Sequence, residues 1–164
     1  MGFHGNILEL EAQLSKTQER QNTLVALAQT LIKSMDWSDF KRSDILSFIN
    51  NQLPKQHYGP YSFGQFNLTL ASQDHFSIQI YFMEGVPTEI HSHAFHGYFH
   101  YLEGNVLQTK FKKKNGEKIS DKVYKNAIEV ESEKILHQGE GELITPGPIH
   151  QILRLSNIST VLMV

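Results

Sequence analysis

The sequence predicts a mainly β protein, a double-stranded β-helix or jelly roll, preceded by N-terminal α-helices. Three observations carry this. Apolar residues in the first third recur at helical spacing, and from about Phe63 the period falls to two. Turn chemistry then divides the rest of the chain into eight or nine short runs, the pattern of a β-sandwich or barrel.

In the helical part, Ile7, Leu8, Leu10 and Leu14, then Leu24, Leu27 and Leu31, fall three and four residues apart, with polar Gln18, Glu19 and Gln21 between the two sets. Ser43 reads as the N-cap of a third helix bearing Leu46, Ile49 and Leu53, and Pro54 as its end. These stripes are expected to serve packing or dimerisation. Residues 1–58 are thus taken as a helical segment packed on a barrel formed by 59–164.

In the β part, Phe76, Ile78, Ile80 and Phe82 alternate with Ser77, Gln79 and Tyr81, as in a strand with one buried face. Further strands are expected at Thr88–His93, Gly97–Leu102, Val106–Lys112, Lys118–Tyr124, Ala127–Leu136, Gly141–Thr145, His150–Leu155 and Ser159–Val164. The turns between them are Glu103-Gly104-Asn105, Asn115-Gly116, Gly139-Glu140-Gly141, Pro146-Gly147-Pro148 and Ser156-Asn157.

Composition narrows the function. Fifteen basic against 17 acidic residues leave the chain close to neutral. The one lysine-rich run, Lys110 to Lys114, abuts Asn115-Gly116 and reads as a solvated hairpin tip, so no nucleic-acid partner is expected. The absence of cysteine excludes disulfides, thiolate metal sites and a cysteine nucleophile. No apolar run approaches the roughly 20 residues that span a bilayer, and no secretory signal pattern opens the chain. A cytoplasmic protein without membrane contact, monomer or homodimer, is the expectation. The apolar run Thr160–Val164 is compatible with a chain that continues.

The chemistry lies in histidines. His91, His93, His96 and His100 fall within ten residues. In a strand, alternate side chains share a face, so His91 and His93 project together and can converge on one ion. Imidazole suits iron, zinc, copper and nickel.

Two stretches resemble the paired motifs of the cupin superfamily. The first is Gly85, five residues, His91-Ser92-His93, and a closing Gly104; the acidic position of that motif falls on Gly97. The second is Gly139, five residues, Thr145-Pro146-Gly147, then His150 and Arg154, with Thr and Arg where the family has Pro and Asn. Between them lie 34 residues, Asn105 to Gln138, and the resemblance covers about residues 80–155. Within the superfamily the chain is most similar to the cysteine dioxygenase group of thiol dioxygenases. Those enzymes also lack the carboxylate, hold ferrous iron with three histidines, and in some bacterial members carry Gly at the position of Gly97. The runs Phe76–Gly85, Ile90–His93 and Leu102–Asn105 look like theirs. The chain departs from that group in two places. Tyr61–Gly64 lacks its substrate-binding arginine, and Thr160–Val164 is apolar where it has a Ser-His-Tyr relay.

The expected metal ligands are His91, His93 and His150, brought by a jelly roll to opposite sides of one barrel mouth. Three nitrogens leave about three octahedral positions open, whereas a structural zinc site fills four. His96 is read either as a fourth ligand or outer donor, or as a locally bonded turn histidine. If Gly97 faces inward, His100 faces out. Arg154, four residues past His150, would anchor a substrate anion if the strand is regular, or be solvated if it ends there. Tyr81 and Tyr101 would offer supporting hydroxyls or pack as core, and Gln79 could orient a ligand. The resulting expectation is a non-haem Fe(II) dioxygenase acting with O2 on a small anionic, possibly thiol, substrate. Zn, Ni or Mn are alternative ions. Two other readings stay open: a non-catalytic cupin that binds or senses a small ligand or metal, and a metal-dependent isomerase or lyase.

Overall fold

The computed structural model describes residues 2–17, 21–52, 59–61, 65–83, 87–114, 127–156 and 159–164. Among these residues three helices come first: α1 (Phe3–Ser15), α2 (Gln21–Ser34) and α3 (Arg42–Gln52). Ten strands follow: β1 (Gly59–Tyr61), β2 (Gln65–Gln73), β3 (Phe76–Met83), β4 (His91–Ser92), β5 (Gly97–Glu103), β6 (Val106–Lys113), β7 (Ile128–Leu136), β8 (Gly141–Ile144), β9 (Ile149–Arg154) and β10 (Ser159–Met163). Their antiparallel pairings form a six-stranded sheet, β1-β2-β3-β10-β5-β8, and a four-stranded sheet, β4-β9-β6-β7. The architecture is the expected double-stranded β-helix behind N-terminal helices.

Residue spacing explains the helices. Phe3, Ile7, Leu10 and Leu14 put one buried stripe on α1, while Leu8, off the stripe, is exposed. Asn6 Nδ2 donates to the Asp36 carbonyl at 2.8 Å and ties α1 to the turn after α2. That turn is closed by Trp37, whose indole N–H donates to the Ile32 carbonyl at 2.8 Å. The start of α3 differs from expectation. The helix begins at Arg42, and the Asp44 carboxylate accepts the Lys41 backbone N–H at 2.9 Å, which secures the chain two residues earlier than a Ser43 cap.

The six-stranded sheet is covered on both faces. Its outer face carries Leu68, Leu70, Ile78, Ile80, Tyr98, Leu102 and Leu162, which pack with α1, α2 and Trp37 in one core. Ile78, Ile80 and Leu162 are fully buried, each worth about 1.5–3 kcal/mol over exposure. Its inner face carries Met83, Tyr101 and Val161, which meet Val106, Leu136 and Ile152 of the other sheet in a second, smaller core. The apolar face of β3 therefore turns away from the barrel, toward the helices. Its Gln79 and Tyr81 side turns inward.

Several strands keep nearly the bounds the pattern predicts. Two do not. Thr88–His93 shrinks to the two residues of β4 because Thr88 is fastened to β9 irregularly: its Oγ1 accepts the Ile152 N–H at 2.9 Å while its own N–H donates to the Ile152 carbonyl at 2.8 Å. β2 was not anticipated as a separate strand, although Leu68-Thr69-Leu70 alternates in burial. The expected strand Lys118–Tyr124, the turn Asn115-Gly116, and the positions of Leu53, Pro54, Gly85 and Asn157 lie outside the described residues. Of the lysine run, Lys110 is no solvated tip; its Nζ lies 2.6 Å from Glu142 Oε1. Glycine is needed at turns where φ is positive, among them Gly104 at 80° and Gly147 at 104°. The second also donates its N–H to the His93 carbonyl at 3.2 Å.

His100 faces the helices, as its parity requires, and is 3% exposed against Trp37, ring centroids 5.9 Å apart. Neither ring nitrogen has a hydrogen-bond partner among the described residues. Burial, then the charge of Lys33, pushes its pKa down to about 4. The folded state thus keeps the ring neutral, while the unfolded chain takes up a proton below 6.5. Stability is therefore lost as pH falls from 6.5 toward 4, on the order of 2 kcal/mol from this residue. His100→Phe is expected to be more stable than wild type at pH 5 and to unfold with a shallower acid dependence in urea titrations. Equal slopes for the two proteins would refute this account.

Candidate metal centre

The four-stranded sheet and one adjoining loop assemble the centre. His91 on β4 sits directly across from His150 on β9 in the ladder. The two strands are therefore paired neighbours, not opposite walls of the mouth as expected. His93 lies just past the end of β4, where the chain bends inward, and Gly147 holds its backbone. The three rings stand edge to face, with centroids 4.9 Å (His91 and His93), 4.6 Å (His91 and His150) and 5.0 Å (His93 and His150) apart.

His150 Nε2 lies 3.0 Å from His93 Nε2 and 3.1 Å from His91 Nε2. One ring nitrogen offers either one N–H or one lone pair, so it cannot serve two such neighbours equally well as a hydrogen-bond partner. A cation at the centre can serve all three. Nitrogens about 2.1 Å from an ion are about 3.0 Å apart when they subtend a right angle there, and about 3.4 Å apart at a tetrahedral angle. The two observed spacings match neighbouring corners of an octahedron, and all three donor atoms lie within 4.8 Å of one another, so the donor set fits a metal ion.

The surroundings prepare these rings for that task. His91 Nδ1 is 2.8 Å from the Glu89 carbonyl, an acceptor only, so Nδ1 carries the proton and Nε2 keeps its lone pair. Burial, then the neighbouring His91, pushes His93 down to about 4. Burial, then His91, His93 and Lys110, pushes His150 down to about 3. Both rings are neutral ligands at neutral pH.

Behind His150 runs a polar chain that the sequence did not disclose. Gln108, 1% exposed, has its amide 3.3 Å from His150 Nδ1 and also bonds Glu142, which pairs with Lys110. Gln108 is in β6, next to β9, and Glu142 in β8 of the other sheet. Only the fold brings them together. Metal binding through His150 Nε2 leaves the ring proton on Nδ1, where the Gln108 side-chain amide lies against it.

The three imidazoles open onto a cavity of about 340 Å3, bounded by Tyr81, Met83, Phe95, Phe99, Tyr101 and Met163, with Thr88, Ser92, Ile152 and Val161 completing its wall. Tyr81 and Tyr101 both border it. The Tyr81 hydroxyl donates to Gln79 Oε1 at 2.9 Å. Tyr101 is 1% exposed, and its phenol is held protonated by burial and by the charge of Glu142. Arg154 does not border the cavity. Its Nη1 donates to the Met83 carbonyl at 3.1 Å, and it pairs with Val106 in the ladder. His96 stands apart from the triad, on another cavity shared with His75 and Val164.

Gly97 occupies the acidic position of the first motif. It shares strand parity with Phe99 and Tyr101, both on the cavity. A Cβ there would lie 3.3 Å from the Phe95 ring and 3.1 Å from the Val164 carbonyl. The space a carboxylate ligand would enter is filled by Phe95, whose ring centroid is 4.9 Å from that of His93.

No protein-family model matches the chain, and no curated protein matches its sequence. Among solved structures it is similar to the cupin domain of Schizosaccharomyces pombe Cnp3, with 11% identity over 68% of each chain and a TM-score of 0.46. It is also similar to hydroquinone 1,2-dioxygenase PnpCD in complex with Cd2+ and 4-hydroxybenzonitrile, with 11% identity over 58% of this chain and 60% of that one, TM-score 0.45. KdgF from Halomonas sp. matches with 12% identity over 66% of this chain and 85% of that one, TM-score 0.44.

Proposed function

We propose that this protein is a metal-dependent cupin dioxygenase in which His91, His93 and His150 hold ferrous iron and the adjoining cavity takes a small-molecule substrate with O2. One observation carries the reading: three imidazole nitrogens from separated parts of the chain converge, within 4.8 Å of one another, at the wall of a mostly apolar cavity. Zn, Ni and Mn are alternative ions for the same donors. Iron is proposed because three nitrogens leave room for both reactants.

When bound, the ion would supply Lewis acidity and a common point of attachment for substrate and O2. The chain supplies the rest. The Glu89 carbonyl fixes the His91 tautomer, and Gln108 orients the His150 ring. Phe95, Phe99, Met83 and Met163 keep water from the place where the reactants meet, and the cavity wall limits their relative orientations. Both atoms of O2 end in the product of a dioxygenase, so no external reductant is needed.

The test is oxygen uptake by iron-reconstituted protein against a panel of small thiols, carboxylates and phenols. Uptake with at least one compound, abolished in His93→Ala, is the expected result. Stoichiometric iron with no uptake across the panel would reject the oxygenase and leave a ligand-binding or sensing protein.

A further inference from the structure

The walls of the cavity say what kind of molecule it holds. Four aromatic rings border it, and they are not scattered. Phe95 meets His93 at 4.9 Å and 65°, His93 meets Phe99 at 6.0 Å and 74°, and Phe99 meets Tyr81 at 6.2 Å and 66°. These edge-to-face contacts form one continuous aromatic wall that runs from a metal-ligating imidazole along the cavity. Met83 and Met163 supply polarisable thioethers, and Ile152 and Val161 aliphatic carbon. Away from the ion, such a surface rewards a flat ring, which can add another edge-to-face or offset contact, and it offers no charged partner to an ionised group that must shed its water.

Among the described residues, neither nearby cation borders the cavity, although Arg154 Nε is buried without a hydrogen-bond partner. Lys110 is held by Glu142, and the Arg154 guanidinium donates to the Met83 carbonyl. Size narrows the class further. A cavity of roughly 150 Å3 accommodates benzene. One of about 340 Å3 therefore has room for a substituted ring together with a small co-ligand such as O2 or water.

We propose that the cavity selects an uncharged monocyclic aromatic molecule bearing one oxygen donor, the phenol class, in place of the small anionic thiol that the sequence resemblance implies. This rests on the reading of the triad as a metal centre open to substrate. The ring lies along the Phe95, Phe99 and Tyr81 wall, its oxygen directed to the three imidazoles.

The experiment is anaerobic calorimetric titration of the iron-loaded protein with 4-methylphenol, benzoate and 3-mercaptopropionate, alongside metal analysis of the same sample. Binding of 4-methylphenol about tenfold or more tighter than either anion is expected, a ratio typical of a pocket that rejects a poorly matched group. Phe95→Ser, at a partly exposed position, should keep full iron content and weaken 4-methylphenol at least about fivefold. Tighter binding of either anion, or no binding of 4-methylphenol to fully loaded protein, overturns the proposal. The two readings fail separately. Tight 4-methylphenol binding with no oxygen uptake by any compound upholds this assignment and removes the dioxygenase. Uptake with 3-mercaptopropionate alone does the reverse.

Discussion

His150→Ala is expected to abolish metal retention. Four-ligand zinc sites gather about 10–16 kcal/mol of apparent binding free energy, or about 2.5–4 kcal/mol per ligand. Removing one of three nitrogens should weaken binding by about 100- to 1,000-fold, since each 1.4 kcal/mol is tenfold. His150 is the member to remove because both short nitrogen contacts converge on its Nε2. Chelator competition and elemental analysis of protein purified without added metal give the affinity directly. A saturating ion, at about 100 times its dissociation constant, stabilises the fold by about 2.7 kcal/mol. Wild type should therefore melt higher with metal, and the variant should not. Because His150 is only 4% exposed, its loss leaves a cavity, and the half-buried His93→Ala serves as the second variant. Metal affinity unchanged in both would mean that the triad is not a binding site.

Gly141→Ala is expected to cost the largest amount of stability for a single methyl group. A Cβ at Gly141 would overlap the Tyr98 hydroxyl, approach Tyr98 Cζ to 2.5 Å and the Phe99 carbonyl oxygen to 2.6 Å. Neither neighbour can yield easily. Tyr98 is fully buried between the sheet and the helices, and the Phe99 carbonyl belongs to the ladder between β5 and β8. Overpacking of this kind costs about 3 kcal/mol or somewhat more. At about 2–4 °C per kcal/mol for a domain of this size, the midpoint should drop by roughly 6–12 °C. The shift would also move Glu142, the next residue, away from Gln108, so metal affinity should fall as well. A melting curve within about 2 °C of wild type would show that β8 has more freedom than the packing implies.

Much of this protein was legible in its sequence. Period-two alternation and turn residues fix strands because side-chain direction is a local property of an extended backbone. The positions of Gly104 and Gly147 could be read for the same reason, since positive φ is a local demand. His91 and His93 could be paired from spacing alone, and His150 from its place after Pro146-Gly147. The outward direction of His100 is likewise local, set by its parity against Gly97.

What the sequence could not decide was which partner each surface meets. Alternation told that one face of β3 is buried, but both faces of its sheet are covered, so only tertiary packing sends Ile78 and Ile80 to the helices and Tyr81 to the cavity. Strand order is equally non-local: β4 and β9, far apart in the chain, are ladder neighbours, and this places His91 opposite His150. The polar chain of Gln108, Glu142 and Lys110 spans two sheets, and none of its members has a distinctive spacing. Arg154 had the parity to face inward with His150, yet its distance along the strand takes it beyond the cavity. Local geometry sets where a side chain points; the closing of two sheets on each other sets what it finds there.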